Sequence, residues 1–425
     1  MASRGQHLLS ADKRFATGGN PFARLFAPAF AQLVDQFDER LLAGGIEGTL
    51  PDGTRRRVGF HAPGPVAVVT LHSWMALVRL ATSGSVGLYK AWERGEWSSP
   101  DPVPLFDLFM TNARSLGDAA RAKGPARWIN AFAHRLRDNA PGKARRNIAA
   151  HYDLGNDFYA AWLDDSMTYS SARFISPVSP GGATLEDAQA HKINTLLDRL
   201  RLAPGSRLLE IGCGWGALAI EAARRGAQVT GITLSTEQKA FADRRIAEAG
   251  LGDRIDICLE DYRDVRGTFD AIASVEMAEA VGERWWPAYL DAIANRLRPG
   301  GRAALQLISI DPRLFKRYAA SPDFIQAYIF PGGMLLDETR FAALAAARGL
   351  SWEDRDGFGL DYAETLRLWR ERYEAALEDG RLADFDDRFH RLWRYYLMYC
   401  EGGFRGRGID VAQVTLVKGC TKHGT

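Results

Sequence analysis

The sequence predicts an α/β protein with a doubly wound parallel sheet and a smaller, partly helical N-terminal domain. Two observations support this. From about residue 185, apolar strand-like runs alternate with helical runs, and the first of these strands ends in a glycine-rich turn. Strands that alternate with helices usually pair in parallel, with helices on both faces of the sheet.

The alternation can be followed along the chain. We expect strands at residues 207–211, 228–234, 255–259, 269–275, 302–310 and 411–417, and helices at residues 217–225, 236–249, 285–297 and 385–400. The last helix carries Phe389, Trp393 and Tyr396 at helical spacing, which indicates a face directed at the core. Before this region, residues 66–71 predict a further strand.

The chain divides into four predicted segments. Residues 1–20 predict a flexible tail, 21–118 a first domain, 119–147 a basic helical linker and 148–425 the domain with the alternating pattern. In the linker, Trp128, Phe132 and Leu136 recur every four residues among arginines. Such a helix either lies on an anionic bilayer or bridges two domains with solvated arginines, and both interpretations stay open.

The composition is that of a globular protein. The chain has 425 residues, of which 46% are hydrophobic and 25% charged, with a formal net charge of +2. Binding to nucleic acid through bulk charge is therefore not expected. Four scattered cysteines predict neither a metal site nor disulfides. The polar start and the lack of ~20 consecutive apolar residues predict a cytoplasmic protein.

The glycine-rich turn at residues 210–216 is the clearest functional signal. It holds Gly212, Gly214 and Gly216 in a GxGxG spacing, with Glu210 two places before the first glycine. Dinucleotide-binding turns usually place the third glycine one residue later, and Glu210 would repel a pyrophosphate. Because Glu210 can pair with an ammonium group, the turn favours S-adenosylmethionine (SAM) over a dinucleotide.

The next two strand ends provide further candidate contacts to SAM. At the end of the second strand, many nucleotide folds place an acidic side chain for the ribose. Here this strand end carries hydroxyl and amide groups instead: Thr233, Ser235 and Gln238. The third strand is followed by residues suited to receive the adenine amine and to stack on the base: Glu260, Asp261 and Tyr262.

Ordered motifs from residue 151 to residue 405 resemble those of the cyclopropane-fatty-acid and mycolic acid cyclopropane synthases. They are HYDLGNDFY (151–159), MTYSS (167–171), the glycine turn, residues 233–238, EDYRD (260–264), EMAE (276–279), YIFPG (328–332), FGLDY (358–362) and YYLMYCEGGFR (395–405). The resemblance implies the seven-stranded sheet of class I SAM methyltransferases, and a lipid-contact domain at residues 21–118.

The resemblance also implies an activity. It is the SAM-dependent transfer of a one-carbon unit to the double bond of an unsaturated acyl chain, in the bacterial branch that of a membrane phospholipid. A peripheral location at the inner face of the membrane follows, and a homodimer is compatible with it. The resemblance further implies that Tyr169 and Ser170 contact SAM. His151 either orders the segment that closes over SAM or serves as a packing residue.

The family usually uses a bound bicarbonate as base, held by a cysteine, a histidine, a glutamate, a tyrosine and backbone. Here the resemblance places Glu279 and Tyr362 at the glutamate and tyrosine positions, but Ser171 stands at the cysteine position and Gln306 at the histidine position. Serine and glutamine can still donate hydrogen bonds to an anion. Glutamine cannot become a cation, so it would hold an anion more weakly.

Two products therefore stay open at this stage. In one, the enzyme methylates the alkene and gives a methyl-branched or methylene product, with Glu279 stabilising the positive charge. In the other, the substitutions are tolerated by a working cyclopropane synthase. Two further classes are a SAM methyltransferase of a small soluble molecule and a non-catalytic relative, although the intact Glu210, Glu279 and Tyr362 argue against the latter.

Overall fold

The computed structural model describes residues 4–9, 34–35, 37–117, 154–175 and 183–420, and the chain forms two compact units. The first takes in residues 1–138, 311–332 and 383–409, and the second residues 139–310, 333–382 and 410–425. Each unit is built from several separate stretches of the chain, whereas the four predicted segments are each continuous. The functions predicted for those segments, such as lipid contact, stay predictions. The predicted linker and His151 lie outside the described residues.

The first unit contains a four-stranded sheet in the order β2-β1-β3-β4. Its strands are β1 (Gly45–Thr49), β2 (Arg55–Gly59), β3 (Val66–Leu71) and β4 (Trp97–Ser98). The predicted strand at residues 66–71 is confirmed. Strand β1 pairs antiparallel with β2 and parallel with β3. The helices of this unit are Gln6–Leu9, Met75–Glu93, Val103–Thr111, Ala113–Leu116, Pro312–Tyr318, the π-helical Ile325–Ile329 and Asp387–Arg405.

The core of the first unit is rich in aromatic rings. Tyr89 lies 4.6 to 5.1 Å, between ring centroids, from three others, those of Phe324, Tyr328 and Tyr395. The apolar stripe predicted for the last helix is buried, although the helix continues to Arg405 rather than ending at residue 400. Within the predicted tail, Gln6–Leu9 is helical and buries Leu8 and Leu9.

The second unit contains the predicted seven-stranded sheet, in the order β10-β11-β9-β8-β5-β6-β7. Its strands are β5 (Arg207–Ile211), β6 (Gln228–Thr233), β7 (Ile255–Leu259), β8 (Phe269–Val275), β9 (Leu297–Ile310), β10 (Leu350–Gly357) and β11 (Ile409–Lys418). Strands β5 to β9 pair in parallel, and β10 pairs antiparallel with β11. The class I α/β fold is thus confirmed, and the ends of β5, β6 and β8 meet at one edge.

Helices flank this sheet, some of them predicted by the sequence and others not. They are Asn156–Ala160, Leu185–Leu200, Ala217–Arg224, Thr236–Glu248, Ala278–Val281, the 3₁₀ turn Glu283–Trp285, Trp286–Arg296, Glu338–Ala346 and Gly359–Glu378. Helix Leu185–Leu200 begins at a capping box, in which Thr184 and Asp187 satisfy each other's backbone N–H. The predicted bounds of the helices after β5, β6 and β8 agree with the structure to within one residue.

The described part of the chain contains neither a membrane-spanning helix nor a metal-binding cluster. No helix there is both long and apolar enough to cross a membrane. No group of three or more His, Cys, Asp or Glu side chains there is placed to hold a metal ion.

Candidate active site

The glycine-rich turn is tightly packed on one side and open on the other. At Gly212, where φ is +81°, an added Cβ would lie 2.5 Å from Met277 Sδ, so a side chain is excluded. At Gly214, where φ is +52°, an added Cβ would meet no atom of the described residues within 4 Å. The turn therefore leaves space beside Gly214 at the end of β5, as a bound nucleotide-like ligand requires.

Glu210 is the charged group of this turn. Its side chain is buried, and its Oε2 has no hydrogen-bond partner within the described structure. Burial raises the pKa of Glu210 to about 8, and Lys192 nearby opposes that rise. A buried carboxylate oxygen without a partner is unfavourable, and a cationic ligand would relieve it. Together with the space at Gly214, this residue fits the ammonium of SAM.

The segment that contains Tyr169 is held against the glycine turn. Trp215 donates a hydrogen bond from Nε1 to Asn156 Oδ1 at 2.7 Å, and its ring centroid lies 5.2 Å from that of Tyr159. Tyr169 has three aromatic neighbours at 5.4 to 5.5 Å, namely Tyr159, Trp162 and Trp369. The structure therefore places Tyr169 close to the turn, and its contact with SAM stays a prediction.

The three candidates after β6 form a helix cap. Thr233 Oγ1 donates to Gln238 Oε1 at 2.8 Å, and Ser235 Oγ accepts from the Gln238 backbone N–H at 3.2 Å. All three are buried, and Ser235 is the N-cap of helix Thr236–Glu248. Their structural role is thus to fix this strand end, and their contact with SAM stays a prediction.

The candidates after β7 also have structural partners. The Glu260 backbone N–H donates to the Thr233 carbonyl at 3.1 Å, which ties the ends of β6 and β7 together. Asp261 accepts two hydrogen bonds from the guanidinium of Arg263, at 2.8 and 2.6 Å, and a third from its backbone N–H at 3.0 Å. Tyr262 packs edge-on against Tyr289, and burial raises its pKa to about 12. Their contacts with adenine stay predictions.

Glu276 is a site residue that the sequence analysis missed. It directly follows β8 in a left-handed conformation, with φ at +51°. Its Oε1 accepts hydrogen bonds from the Ser171 backbone N–H and from Gln306 Nε2, both at 2.9 Å, and its Oε2 accepts one from Tyr362 Oη at 2.8 Å. An unfavourable backbone conformation held by three donors is typical of a functional position.

The predicted cluster around Glu279 is therefore corrected. Tyr362, Gln306 and the Ser171 backbone bind Glu276, whereas Glu279 accepts a hydrogen bond from the Ile308 backbone N–H. The Ser171 hydroxyl donates to the Ala172 carbonyl at 2.8 Å, so it does not serve the anion as predicted.

Glu276 and Glu279 form a pair of interacting carboxyl groups. Burial raises the pKa of Glu279 to about 8, and the charge of Glu276 adds to the rise. Burial also raises the pKa of Glu276, although the bonds from Gln306, Ser171 and Tyr362 oppose that rise. Because Glu276 accepts three hydrogen bonds and Glu279 accepts one from a backbone N–H, Glu276 is the better placed of the two to carry the negative charge.

This geometry does not fit a bound bicarbonate. Gln306 and Tyr362, at two of the predicted bicarbonate-ligand positions, already donate to Glu276. The Ser171 hydroxyl donates to the Ala172 carbonyl, and the Ile308 N–H donates to Glu279. No donor of this set is left for a separate anion.

Comparisons with known proteins agree with this description. The family model described as mycolic acid cyclopropane synthetase matches residues 140–414. The tuberculostearic acid methyltransferase UfaA1 of Mycobacterium tuberculosis is 40% identical over 348 residues, or 80% of each chain. The cyclopropane-fatty-acyl-phospholipid synthase of Escherichia coli is 33% identical over 362 residues, which cover 80% of this chain and 85% of that protein.

A solved structure identifies the co-substrate. The chain is similar to the crystal structure of the mycolic acid cyclopropane synthase CmaA1 in complex with SAH and CTAB. The TM-score of the match is 0.60 and the sequence identity is 30%, and the match covers 64% of this chain and 98% of CmaA1. SAH is the product that SAM leaves after methyl transfer. Since the family model spans more than half of the sequence, this chain belongs to the mycolic acid cyclopropane synthetase family, as a SAM-dependent methyltransferase that acts on lipids.

Proposed function

We propose that the protein methylates the double bond of an unsaturated phospholipid acyl chain and yields a methylene-branched chain, which a separate reduction would convert to a methyl branch, rather than a cyclopropane. The carrying observation is Glu276, whose carboxylate occupies the donors predicted for bicarbonate. The greater identity to a relative named as a methyltransferase, 40% against 33% for the synthase, supports the same product.

We place the amino-acid end of SAM at the glycine turn. The unpartnered oxygen of Glu210 accepts from its ammonium, and the open space beside Gly214 admits the ligand. Tyr169 and Ser170 flank it, as the resemblance implies. This arrangement directs the sulfonium methyl group toward Glu276 at the end of the neighbouring strand β8, which pairs with β5.

The reaction begins when the π electrons of the alkene attack the sulfonium methyl group. A new carbon–carbon bond forms, the sulfur–methyl bond breaks, and its electron pair stays on sulfur. The neighbouring carbon is left as a carbocation. Loss of a proton from the new methyl group at this stage closes a cyclopropane. A 1,2-hydride shift followed by the same loss gives a methylene branch, and a saturated methyl branch then needs a separate reduction.

Glu276 is suited to favour the second course. Three of the roughly four lone-pair positions of its carboxylate are filled, so the group is a fixed negative charge and not a mobile anion. A preorganised charge of this kind stabilises the carbocation at little reorganisation cost. We propose that the cation persists long enough for the hydride shift, after which the remaining lone pair of Glu276 accepts the proton.

Product analysis tests this proposal. The purified protein is incubated with SAM labelled with ¹³C in its methyl group and with vesicles of a monounsaturated phospholipid, and the acyl chains are examined by mass spectrometry and NMR. We expect a branch carrying one labelled carbon, formed equally well in buffer depleted of bicarbonate. Cyclopropane as the sole product, or methylation of a soluble molecule with the lipid untouched, would overturn it.

A further inference from the structure

Lys192 is a charged residue in the interior of the second unit. It lies in the middle of helix Leu185–Leu200, and its side chain is almost wholly buried. Burial lowers its pKa to about 8, although Glu276, Asp164 and Glu210 lie close enough to favour the ammonium form. Because an isolated buried charge is strongly unfavourable, the position of this lysine calls for a functional explanation.

The ammonium of Lys192 is bonded to one residue of the Tyr169 segment. Its Nζ donates to Ser170 Oγ at 2.7 Å. One turn earlier on the same helix, Gln189 Nε2 donates to the Ser170 carbonyl at 2.9 Å. The helix therefore holds Ser170 at two points, one on its backbone and one on its side chain. Gln413 in turn donates to the Lys192 carbonyl at 3.0 Å.

The hydrogen bond from Lys192 to the Ser170 hydroxyl determines what that hydroxyl can bind. A hydroxyl that accepts a hydrogen bond from an ammonium keeps its own proton to donate elsewhere. Such a donor, next to a buried positive charge, suits an anion. The amino-acid end of SAM carries a carboxylate beside its ammonium, and Glu210 can bind only the ammonium.

We propose that Lys192 is a positioning residue for SAM, which orients the Ser170 hydroxyl to donate to the carboxylate of the methionine moiety. Lys192 and Glu210 then match the two opposite charges of this zwitterion. The inference rests on the proposed placement of SAM at Glu210, but not on the proposed lipid product.

A double-mutant cycle on SAM affinity tests the inference without lipid. In calorimetry, we expect Lys192→Met and Ser170→Ala each to raise the Kd for SAM about tenfold. The Kd of the double variant should lie within about twofold of that of either single variant, because the two residues act as a unit. Lys90→Met removes a buried lysine of the first unit and is the matched control. If Lys192→Met fails to fold, as judged by circular dichroism, Lys192→Gln takes its place.

Three outcomes separate the failures. Unchanged affinity in Lys192→Met, or effects that multiply in the double variant, would overturn the role of Lys192 while Glu210→Gln still weakens binding. If the Glu210→Gln variant and the Ser170→Ala variant both bind SAM with unchanged affinity, the placement of SAM is overturned and the inference with it. A cyclopropane product in the lipid assay leaves this test unaffected.

Discussion

Two neighbouring strands of the second unit each present a glutamate at the same edge of the sheet, and the two are bonded in opposite ways. Among the described residues, one carboxylate oxygen of Glu210 in β5 has no hydrogen-bond partner, whereas Glu276 after β8 accepts three hydrogen bonds. An open carboxylate is suited to receive a cation that arrives with a ligand. A carboxylate fixed by the protein is suited to a charge that appears only during the reaction.

The largest effect should come from neutralising the fixed carboxylate. Glu276→Gln keeps the size of the side chain but removes the charge that we assign to the carbocation. We expect turnover on vesicles to fall at least ~100-fold, the range seen when a preorganised electrostatic group is lost, with the Kd for SAM within about threefold of the original. Initial rates and calorimetry measure the two quantities.

The control for this variant is Glu378→Gln, an exposed glutamate at the end of helix Gly359–Glu378, which should leave both quantities unchanged. If Glu276→Gln turns over at nearly the original rate, Glu276 does not stabilise the carbocation, and its assigned role no longer differs from that of Glu210.

Neutralising Glu210 should mainly weaken SAM binding, in contrast to neutralising Glu276, which should mainly slow turnover. Glu210→Gln removes a charge-assisted hydrogen bond to the SAM ammonium, a contact worth about 1.5–3 kcal/mol. We therefore expect the Kd for SAM to rise roughly 10- to 100-fold. The ratio of lipid products at saturating SAM should stay the same. A changed product ratio with unaltered affinity would mean that the two glutamates have exchanged roles.

The two strand ends also differ in how well the sequence predicts them, because the end of β5 is marked by local features and the surroundings of Glu276 are not. The apolar run of β5 and the glycines after it are local features, and the structure reproduces the strand at residues 207–211. The partners of Glu276 lie 105, 30 and 86 positions away along the chain, so only the folded sheet brings them together. A local signal was nonetheless present, since an acidic residue directly after a buried strand is a site candidate.

Strand β10 was missed for a different reason. It is the last strand at one side of the sheet, and much of it is exposed. Its sequence, from Trp352 to Asp356, is accordingly polar and lacks the apolar run that marks the central strands. Edge strands with charged side chains avoid pairing with other chains, but they also lose the pattern by which a strand is predicted.

The smallest effect concerns stability, and it again depends on the open carboxylate. The pKa of Glu210 is raised to about 8, from an ordinary value of 4.5, so between these pH values the folded protein holds a proton that the unfolded chain releases. Without SAM, the free energy of unfolding should therefore fall as the pH rises through this window, and Glu210→Gln should remove part of the fall. We expect the variant to gain roughly 1 kcal/mol on the original protein between about pH 6 and pH 7, measured by urea unfolding. Parallel stability curves for the two proteins would indicate that Glu210 is already paired in the unliganded protein, and the contrast with Glu276 would then be lost.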